Sequence, residues 1–187
     1  MSTSRLPVEY RFCAPDAPLA CSHGVLAVLP AHSYLTHDAD HSLRVVSTIC
    51  QRAIDWLWID CEHGWAASVE GTGAACVLAR SLGVAPVIRV AWNDPALIKK
   101  ALDMGAVGVM VPQVQNATEA KAAVDAARYY PDGMRGISPP WTALAGMGMD
   151  SAVLKKIQEE TVVMVQLESE ESYKNLKEIA AVPGVRC

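Results

Sequence analysis

A group of charged side chains that could take part in catalysis follows one of the apolar runs of this sequence. The run at 56–59 leads directly into Asp60, Glu62 and His63. Asp60 and Glu62 are two residues apart, so both face the same side of an extended strand. A histidine beside two carboxylates can move a proton near neutral pH. The alternative is that His63 caps the strand end and both acids are solvated.

Two later apolar runs also carry polar groups. Arg89 lies in the run 86–91, where a guanidinium is costly unless it meets an anion. We therefore expect a carboxylate substrate or a neighbouring acid beside it, and a structural ion pair is the alternative. Gln166 and Glu168 lie at the end of the run 161–167 and project to the same side. A carboxylate there can bind a hard divalent cation such as Mg²⁺ or Mn²⁺.

Two other candidates are less specific. Asp103 lies near the end of a predicted helix, where a carboxylate meets the negative pole of the helix dipole. That position suggests a specific partner, and a solvated acid is the alternative. His37 and His41 have a spacing that could indicate zinc, but no third ligand follows at a recognisable distance. A solvated loop or a helix cap is the favoured interpretation of this pair.

Apolar runs alternate with longer helix-compatible stretches, which predicts β-α-β units and a parallel sheet. The predicted strands are 24–29, 56–61, 86–91, 107–111, 134–137 and 161–167. The predicted helices are 42–52, 68–82, 95–104, 117–129, 151–159 and 170–180. This order fits either an open doubly wound sheet or part of an eight-stranded β/α barrel. Because a complete barrel needs roughly 250 residues, the length favours an incomplete (β/α)8 barrel.

Composition limits the classes of partner. Of the 187 residues, 51% are hydrophobic and 19% are charged, and the net charge is −4, so the chain is expected to be globular. No basic run indicates nucleic acid or an anionic membrane surface, and no apolar stretch approaches 18 residues. The six cysteines are interpreted as reduced thiols. We expect a cytoplasmic protein with an N-terminal arm at 1–23, a partial barrel domain at 24–187 and a small-molecule ligand.

Taken in order, these segments resemble the HpcH/HpaI aldolase family of metal-dependent class II pyruvate aldolases. The resemblance extends from about residue 24 to residue 185. It is carried by 55–64, 87–95, 98–105, 108–112, 133–136, 165–168 and 175–184. Several long motifs in the same order are far more specific than any one of them.

The resemblance implies a TIM barrel in which His63 is the general acid/base. Asp103 would raise the basicity of His63, with Asp60 nearby. Arg89 would hold the pyruvyl oxygen and stabilise an enolate. Gln166 would contact the substrate, which is a 2-oxo acid.

The resemblance also implies a divalent cation, Mg²⁺, Mn²⁺ or Co²⁺, with Glu168 as one of two carboxylate ligands. In the family, a strand carrying the second carboxylate follows the Val-Pro-Gly-Val turn, whereas here Arg186 and Cys187 stand in its place. We therefore expect a C-terminally truncated barrel with about six of eight strands. The homo-oligomer typical of the family is in question for such a chain.

Three functions follow from these observations. The first is metal-dependent aldol cleavage of a 4-hydroxy-2-oxo acid to pyruvate and an aldehyde. The second is an inactive remnant that binds a 2-oxo acid or a protein partner. The third is an oxaloacetate decarboxylase-type lyase that uses the same enolate chemistry.

Overall fold

The structure, a computed structural model, describes residues 39–51, 54–63, 69–137 and 151–186. The arm at 1–23, the predicted strand at 24–29 and His37 lie outside the described residues. Within the described part, four strands form one parallel sheet in the order β1-β2-β3-β4. The strands are β1 Trp56–Asp60, β2 Ala85–Arg89, β3 Gly108–Val111 and β4 Val162–Val165.

Helices connect these strands and flank the sheet. The described helices are α1 Ala39–Cys50, α2 Val69–Ser81, α3 Pro95–Asp103, α4 Ala117–Ala127, α5 Ser151–Glu160, α6 Glu170–Lys174 and α7 Leu176–Ala180. Each strand lies next to its neighbour in the chain, and Val185 forms a further parallel bridge with Val163. This sequential order without a reversal is that of a β/α barrel, whereas a doubly wound sheet changes direction at a switch point.

The predicted strand at 134–137 is wrong. Its backbone instead folds back on the end of α4, where the Met134 N–H donates to the Asp125 carbonyl and the Arg135 N–H to the Arg128 carbonyl, each at 2.8 Å. Only an isolated bridge between Tyr129 and Arg135 has strand character. The other four predicted strands that fall on described residues are confirmed.

The two faces of the sheet differ in their burial. Leu57, Ile59, Ile88, Val109 and Val163 face the helices and belong to the hydrophobic core. Trp58 and Asp60 alternate with them in β1 and lie half-buried on the other, inner face. Strand parity therefore places the polar residues on the inner face, where the axis of a barrel runs.

Helix α3 begins and ends as the sequence predicts. The Asp94 side chain caps it by accepting the N–H groups of Ala96 and Leu97, and Pro95 occupies the first turn. Gly105, with φ +100°, ends it in the left-handed conformation. Since α3 runs antiparallel to the strands, its last residue, Asp103, lies near the amino end of the sheet.

The predicted helix at 170–180 is divided into α6 and α7 at Asn175. The Asn175 side chain donates to the Gln115 carbonyl at 2.9 Å, which ties this break to the segment after β3. Ser169 caps α6 by a reciprocal bond with Ser172. The chain beyond β4 is thereby fixed against the carboxyl end of β3.

Two cysteines, Cys50 and Cys76, are buried free thiols among the described residues. Burial raises the pKa of Cys76 to about 12. The interpretation of the cysteines as reduced thiols stays a prediction. None of the described helices has the length and apolar character needed to span a membrane.

Replacing Gly108 with alanine is expected to destabilise the sheet. A Cβ atom at Gly108 would lie 2.8 Å from the carbonyl oxygen of Val162 and 2.9 Å from its Cβ. Because the obstacle is the backbone of β4, the two strands must separate, and we expect a loss of about 1–3 kcal/mol. Urea unfolding followed by circular dichroism measures it. An unchanged midpoint would contradict this packing of β3 on β4.

Candidate active site

Arg89 is the centre of a charged cluster at the carboxyl edge of the sheet. Asp60 and Arg89 are register partners in β1 and β2. Arg89 Nε donates to Asp60 Oδ1 at 2.9 Å, and Nη2 bonds Asp60 Oδ2. Arg89 Nη1 lies 2.8 Å from Glu62 Oε2. Neighbouring acids thus supply the anions that the sequence requires for this guanidinium.

The Arg89 guanidinium is fixed in position and has N–H groups that do not bond Asp60. The Arg89 side chain is 11% exposed, and its guanidinium lies over the Trp58 ring at 4.9 Å. Two of its five N–H groups donate to Asp60, whereas Nη1 forms an ion pair with Glu62, whose Oε2 accepts no hydrogen bond in the described part of the chain. The N–H groups that do not donate to Asp60 can bind a ligand oxygen.

The environment of Asp60 keeps this carboxylate ionised. Burial raises its pKa, but the hydrogen bond from Arg89, the backbone N–H groups of His63 and Glu62 and the charge of Arg89 together hold the pKa below its usual value. The pKa of Arg89 is raised, chiefly by the same bond to Asp60. Both groups are therefore charged at neutral pH.

His63 lies at the outer side of the cluster. Its side chain is 73% exposed, and Nε2 is 3.7 Å from Glu62 Oε2. The turn that carries it is fixed by Asp60 Oδ1, which accepts the N–H groups of Glu62 at 3.0 Å and His63 at 3.2 Å. The imidazole is therefore accessible to a ligand while its backbone is anchored to the charged cluster.

Glu168 and Gln166 approach the same edge from β4. Glu168 is exposed, its Oε2 accepts the Gln113 N–H at 3.1 Å, and its charge contributes to the raised pKa of Arg89. Gln166 Oε1 is buried with no hydrogen-bond partner among the described residues. A cavity of about 550 Å³ opens beside Glu168 and is also lined by Leu167, Ser169, Glu170, Tyr173 and Lys174.

Asp103 is not brought to this edge within the single chain. Its Oδ1 accepts a hydrogen bond from Arg135 Nη2 at 2.9 Å, and the Arg135 side chain is only 4% exposed. Arg135 also lies over the Tyr129 ring at 4.7 Å. The specific partner expected for Asp103 is therefore Arg135, and its effect on His63 remains a prediction without support from the described contacts.

Removing the Asp103 carboxylate is expected to reduce stability. Asp103→Ala leaves the buried Arg135 guanidinium without its ion-pair partner, so we expect a loss of about 3 kcal/mol in the free energy of unfolding. Chemical denaturation measures this loss. The matched control is Asp125→Ala, because the Asp125 side chain forms an i, i+4 pair with the exposed Lys121 in the described part of the chain. Equal stability of the two variants would contradict a structural role for Asp103.

Sequence reasoning missed three contributions to the site. Trp58 could have been found, because it lies two residues before Asp60 on the same strand face. Glu62 was recognised as a carboxylate, but its contact with Arg89 depends on the turn after β1. Gln113 carries no signal in its residue type, since its backbone N–H makes the contact.

The charges of the site fit a divalent cation. One guanidinium faces three carboxylates, Asp60, Glu62 and Glu168, which leaves an excess of negative charge when all are ionised. Gln166 Oε1 is a buried oxygen without a partner, and oxygen is the ligand that Mg²⁺ and Mn²⁺ prefer. No three His, Cys, Asp or Glu residues within the described ranges form a metal-binding group. Glu168 and Gln166 therefore fit a cation that takes its other ligands from water and substrate.

A sequentially ordered parallel β/α sheet with its polar cluster at the carboxyl edge defines a β/α-barrel protein. Residues 39–187 match the HpcH/HpaI aldolase/citrate lyase family, and the chain belongs to that family. The resemblance seen in its motifs is confirmed.

Two curated relatives illustrate the similarity in sequence. The chain is 39% identical over 136 residues to a 4-hydroxy-2-oxo-heptane-1,7-dioate aldolase of Escherichia coli, covering 70% of this chain and 50% of the relative. It is 40% identical over 133 residues to a 2-dehydro-3,6-dideoxy-6-sulfogluconate aldolase of Pseudomonas putida, covering 70% and 51%. The chain thus spans about half the length of these relatives.

Solved structures of the same family share the fold. An HpcH/HpaI aldolase from Desulfitobacterium hafniense DCB-2 has a TM-score of 0.72 at 27% identity, over 82% of this chain and 57% of that one. A family protein from Burkholderia cenocepacia J2315 has a TM-score of 0.70 at 31% identity, over 78% and 58%. Macrophomate synthase has a TM-score of 0.66 at 26% identity, over 80% and 51%. The predicted fold class, a β/α barrel of which the described residues form four parallel strands, is confirmed.

Proposed function

We propose that this chain carries out metal-dependent aldol cleavage of a 4-hydroxy-2-oxo acid to pyruvate and an aldehyde. The observation that carries the proposal is the Arg89 guanidinium, which is fixed by Asp60 and paired with Glu62 at the carboxyl edge and has N–H groups that do not donate to Asp60. The names of the curated relatives, both aldolases, support the same reaction class.

Arg89 binds the substrate at the oxygen where charge develops. Cleavage of the bond between C3 and C4 sends its electron pair toward the C2 carbonyl, so that oxygen becomes an enolate. The N–H groups of Arg89 that do not donate to Asp60 stabilise this oxygen, and they need no reorganisation because Asp60, Glu62 and Trp58 already fix the guanidinium. Pyruvate forms when C3 of the enolate takes up a proton.

His63 is the group that transfers the proton between the substrate atoms. It accepts the proton of the C4 hydroxyl as the aldehyde forms, and its exposed imidazole can deliver a proton to C3 afterwards. Glu62, 3.7 Å away, balances the positive charge that His63 acquires in between.

Glu168 and Gln166 hold the cation and the substrate. A bound Mg²⁺, Mn²⁺ or Co²⁺ would supply positive charge next to the enolate oxygen. Glu168 would contribute a carboxylate to it while Gln113 N–H holds one of its oxygens, and the buried Gln166 Oε1 would be available to the cation or to a substrate hydroxyl. The cavity beside Glu168 accommodates the aldehyde portion of the substrate.

Pyruvate release from 4-hydroxy-2-oxo acids in the presence of Mg²⁺ or Mn²⁺ tests the proposal, with lactate dehydrogenase as the coupling enzyme. His63→Ala is expected to lower kcat by about 10²–10⁴-fold, since it removes the acid/base group. The Kd for Mn²⁺ should stay unchanged, because His63 holds no cation in this scheme. Full turnover by His63→Ala would overturn the assignment.

The same assay separates the other two functions. Pyruvate formed from oxaloacetate alone, and not from a hydroxy-oxo acid, would indicate a decarboxylase. Binding of pyruvate without turnover of any substrate, measured by calorimetry, would indicate an inactive binder. Either outcome would replace the aldolase proposal.

A further inference from the structure

The ladder between β3 and β4 is interrupted at Gln113. The Gln166 N–H donates to the Val111 carbonyl at 2.9 Å, so a regular parallel ladder would direct the Gln113 N–H at the Gln166 carbonyl. That carbonyl instead accepts the N–H of Val114, one residue further on, at 3.2 Å. Gln113 is therefore an extra residue in the segment that continues β3 beyond Val111. One extra residue of this kind in a strand forms a β-bulge.

The bulge has a strained backbone. Gln113 has φ +58°, and it is the one non-glycine residue with a positive φ among those described. An L-residue with a side chain pays for this left-handed conformation, and such strain persists only where the surroundings impose it. Its neighbours on either side, Pro112 and Val114, are both buried.

The Gln113 N–H, which takes no part in the ladder between β3 and β4, has a specific acceptor elsewhere. It donates to Glu168 Oε2 at 3.1 Å, across from the end of β3 to the segment after β4. The Gln113 side chain itself is exposed. The contact therefore depends on the backbone of residue 113 and on its conformation, and not on the glutamine side chain.

We propose that Gln113 is a positioning residue, whose left-handed bulge turns a backbone N–H out of the sheet to orient the Glu168 carboxylate toward a divalent cation. This inference rests on the proposed function, in which Glu168 holds that cation. A hydrogen bond to one carboxylate oxygen restricts the rotation of the group and leaves the other oxygen to the cation. Groups that orient a metal ligand in this way typically set affinity for the metal.

The test uses variants of the full chain that differ in their tolerance of a positive φ. Gln113→Gly and Gln113→Asn both adopt the left-handed conformation readily and keep the N–H. Gln113→Val is β-branched and resists it. The Kd for Mn²⁺, measured by electron paramagnetic resonance of the free ion, should rise about tenfold in Gln113→Val. It should stay within about twofold of the wild type in Gln113→Gly and Gln113→Asn.

The urea midpoint of each variant without metal shows that the Mn²⁺ comparison is made on folded protein. If Gln113→Val does not fold, the α-hydroxy analogue of glutamine at position 113 replaces it, because this changes only the N–H to an ester oxygen. The same rise in the Kd is then expected.

Three results would overturn the inference. Wild-type affinity in Gln113→Val or in the ester would show that the N–H does not position Glu168. Equal losses in Gln113→Gly, Gln113→Asn and Gln113→Val would show that the side chain makes the contribution. If the wild type binds no Mn²⁺, the proposed metal site does not exist and the inference fails with it. This result differs from the first two, in which the wild type binds Mn²⁺ and only the role of Gln113 is contradicted.

Discussion

Arg89→Lys is expected to lower kcat/KM by about 10²–10³-fold, the loss seen when a donor to a developing oxyanion is removed. Lysine keeps the positive charge, but one ammonium cannot bond Asp60 on two oxygens, contact Glu62 and reach the substrate together. The planar stacking on Trp58 is lost as well. Steady-state kinetics with a 4-hydroxy-2-oxo acid and Mn²⁺ measure the effect.

Arg44→Lys is the matched control for this variant. Arg44 is exposed on α1, so the same exchange of side chains should leave kcat/KM and stability unchanged. A kcat/KM for Arg89→Lys within about twofold of the control would contradict a role for the guanidinium in holding the enolate oxygen.

Glu168→Gln is expected to weaken Mn²⁺ binding by about 100-fold or more, because affinity for a hard cation follows the charge of its ligands. The glutamine has nearly the same shape, and its amide oxygen can still accept the Gln113 N–H. Pyruvate release should fall in parallel and recover in part at high Mn²⁺ concentration. Calorimetric titration with Mn²⁺ and the coupled assay measure the two effects.

Glu170→Gln provides the control two residues along the same segment. Its side chain is 95% exposed, and its ion pair within the described ranges is with the exposed Lys174 at 3.9 Å. Both variants should unfold at the wild-type urea concentration, because both positions are exposed. Equal Mn²⁺ affinities in the two variants would contradict the assignment of Glu168 as the metal ligand.

Strand parity predicts the inner face of this site well. Asp60 and Arg89 each lie in a strand that the sequence predicts, and the parallel register brings the two side by side. Parallel strands present their carboxyl ends at one edge, so Glu168 follows on the same edge from β4. These positions depend on local periodicity and a single topology rule.

The remaining features depend on contacts between distant segments. Met134 and Ile137 give 134–137 its apolar character, yet they are 67% and 51% exposed, and the segment bonds to α4 instead of joining the sheet. The partner of Asp103 is Arg135, 32 residues away in that same wrongly assigned segment. The left-handed bulge at Gln113 depends on the hydrogen bonds between the segment after β3 and the segment after β4. No residue type in the sequence predicts it.

Among the described residues, two guanidinium groups are buried, Arg89 at the carboxyl edge of the sheet and Arg135 beside Asp103 near the amino edge. Under the proposed function, the residues that would contact substrate lie apart from the Arg135–Asp103 ion pair. On the same proposal, directed evolution of the segments around the cavity would change the aldehyde that is accepted while the Arg135 ion pair is left untouched. Libraries confined to 167–174 should retain a larger share of folded members than libraries of equal size confined to 128–135.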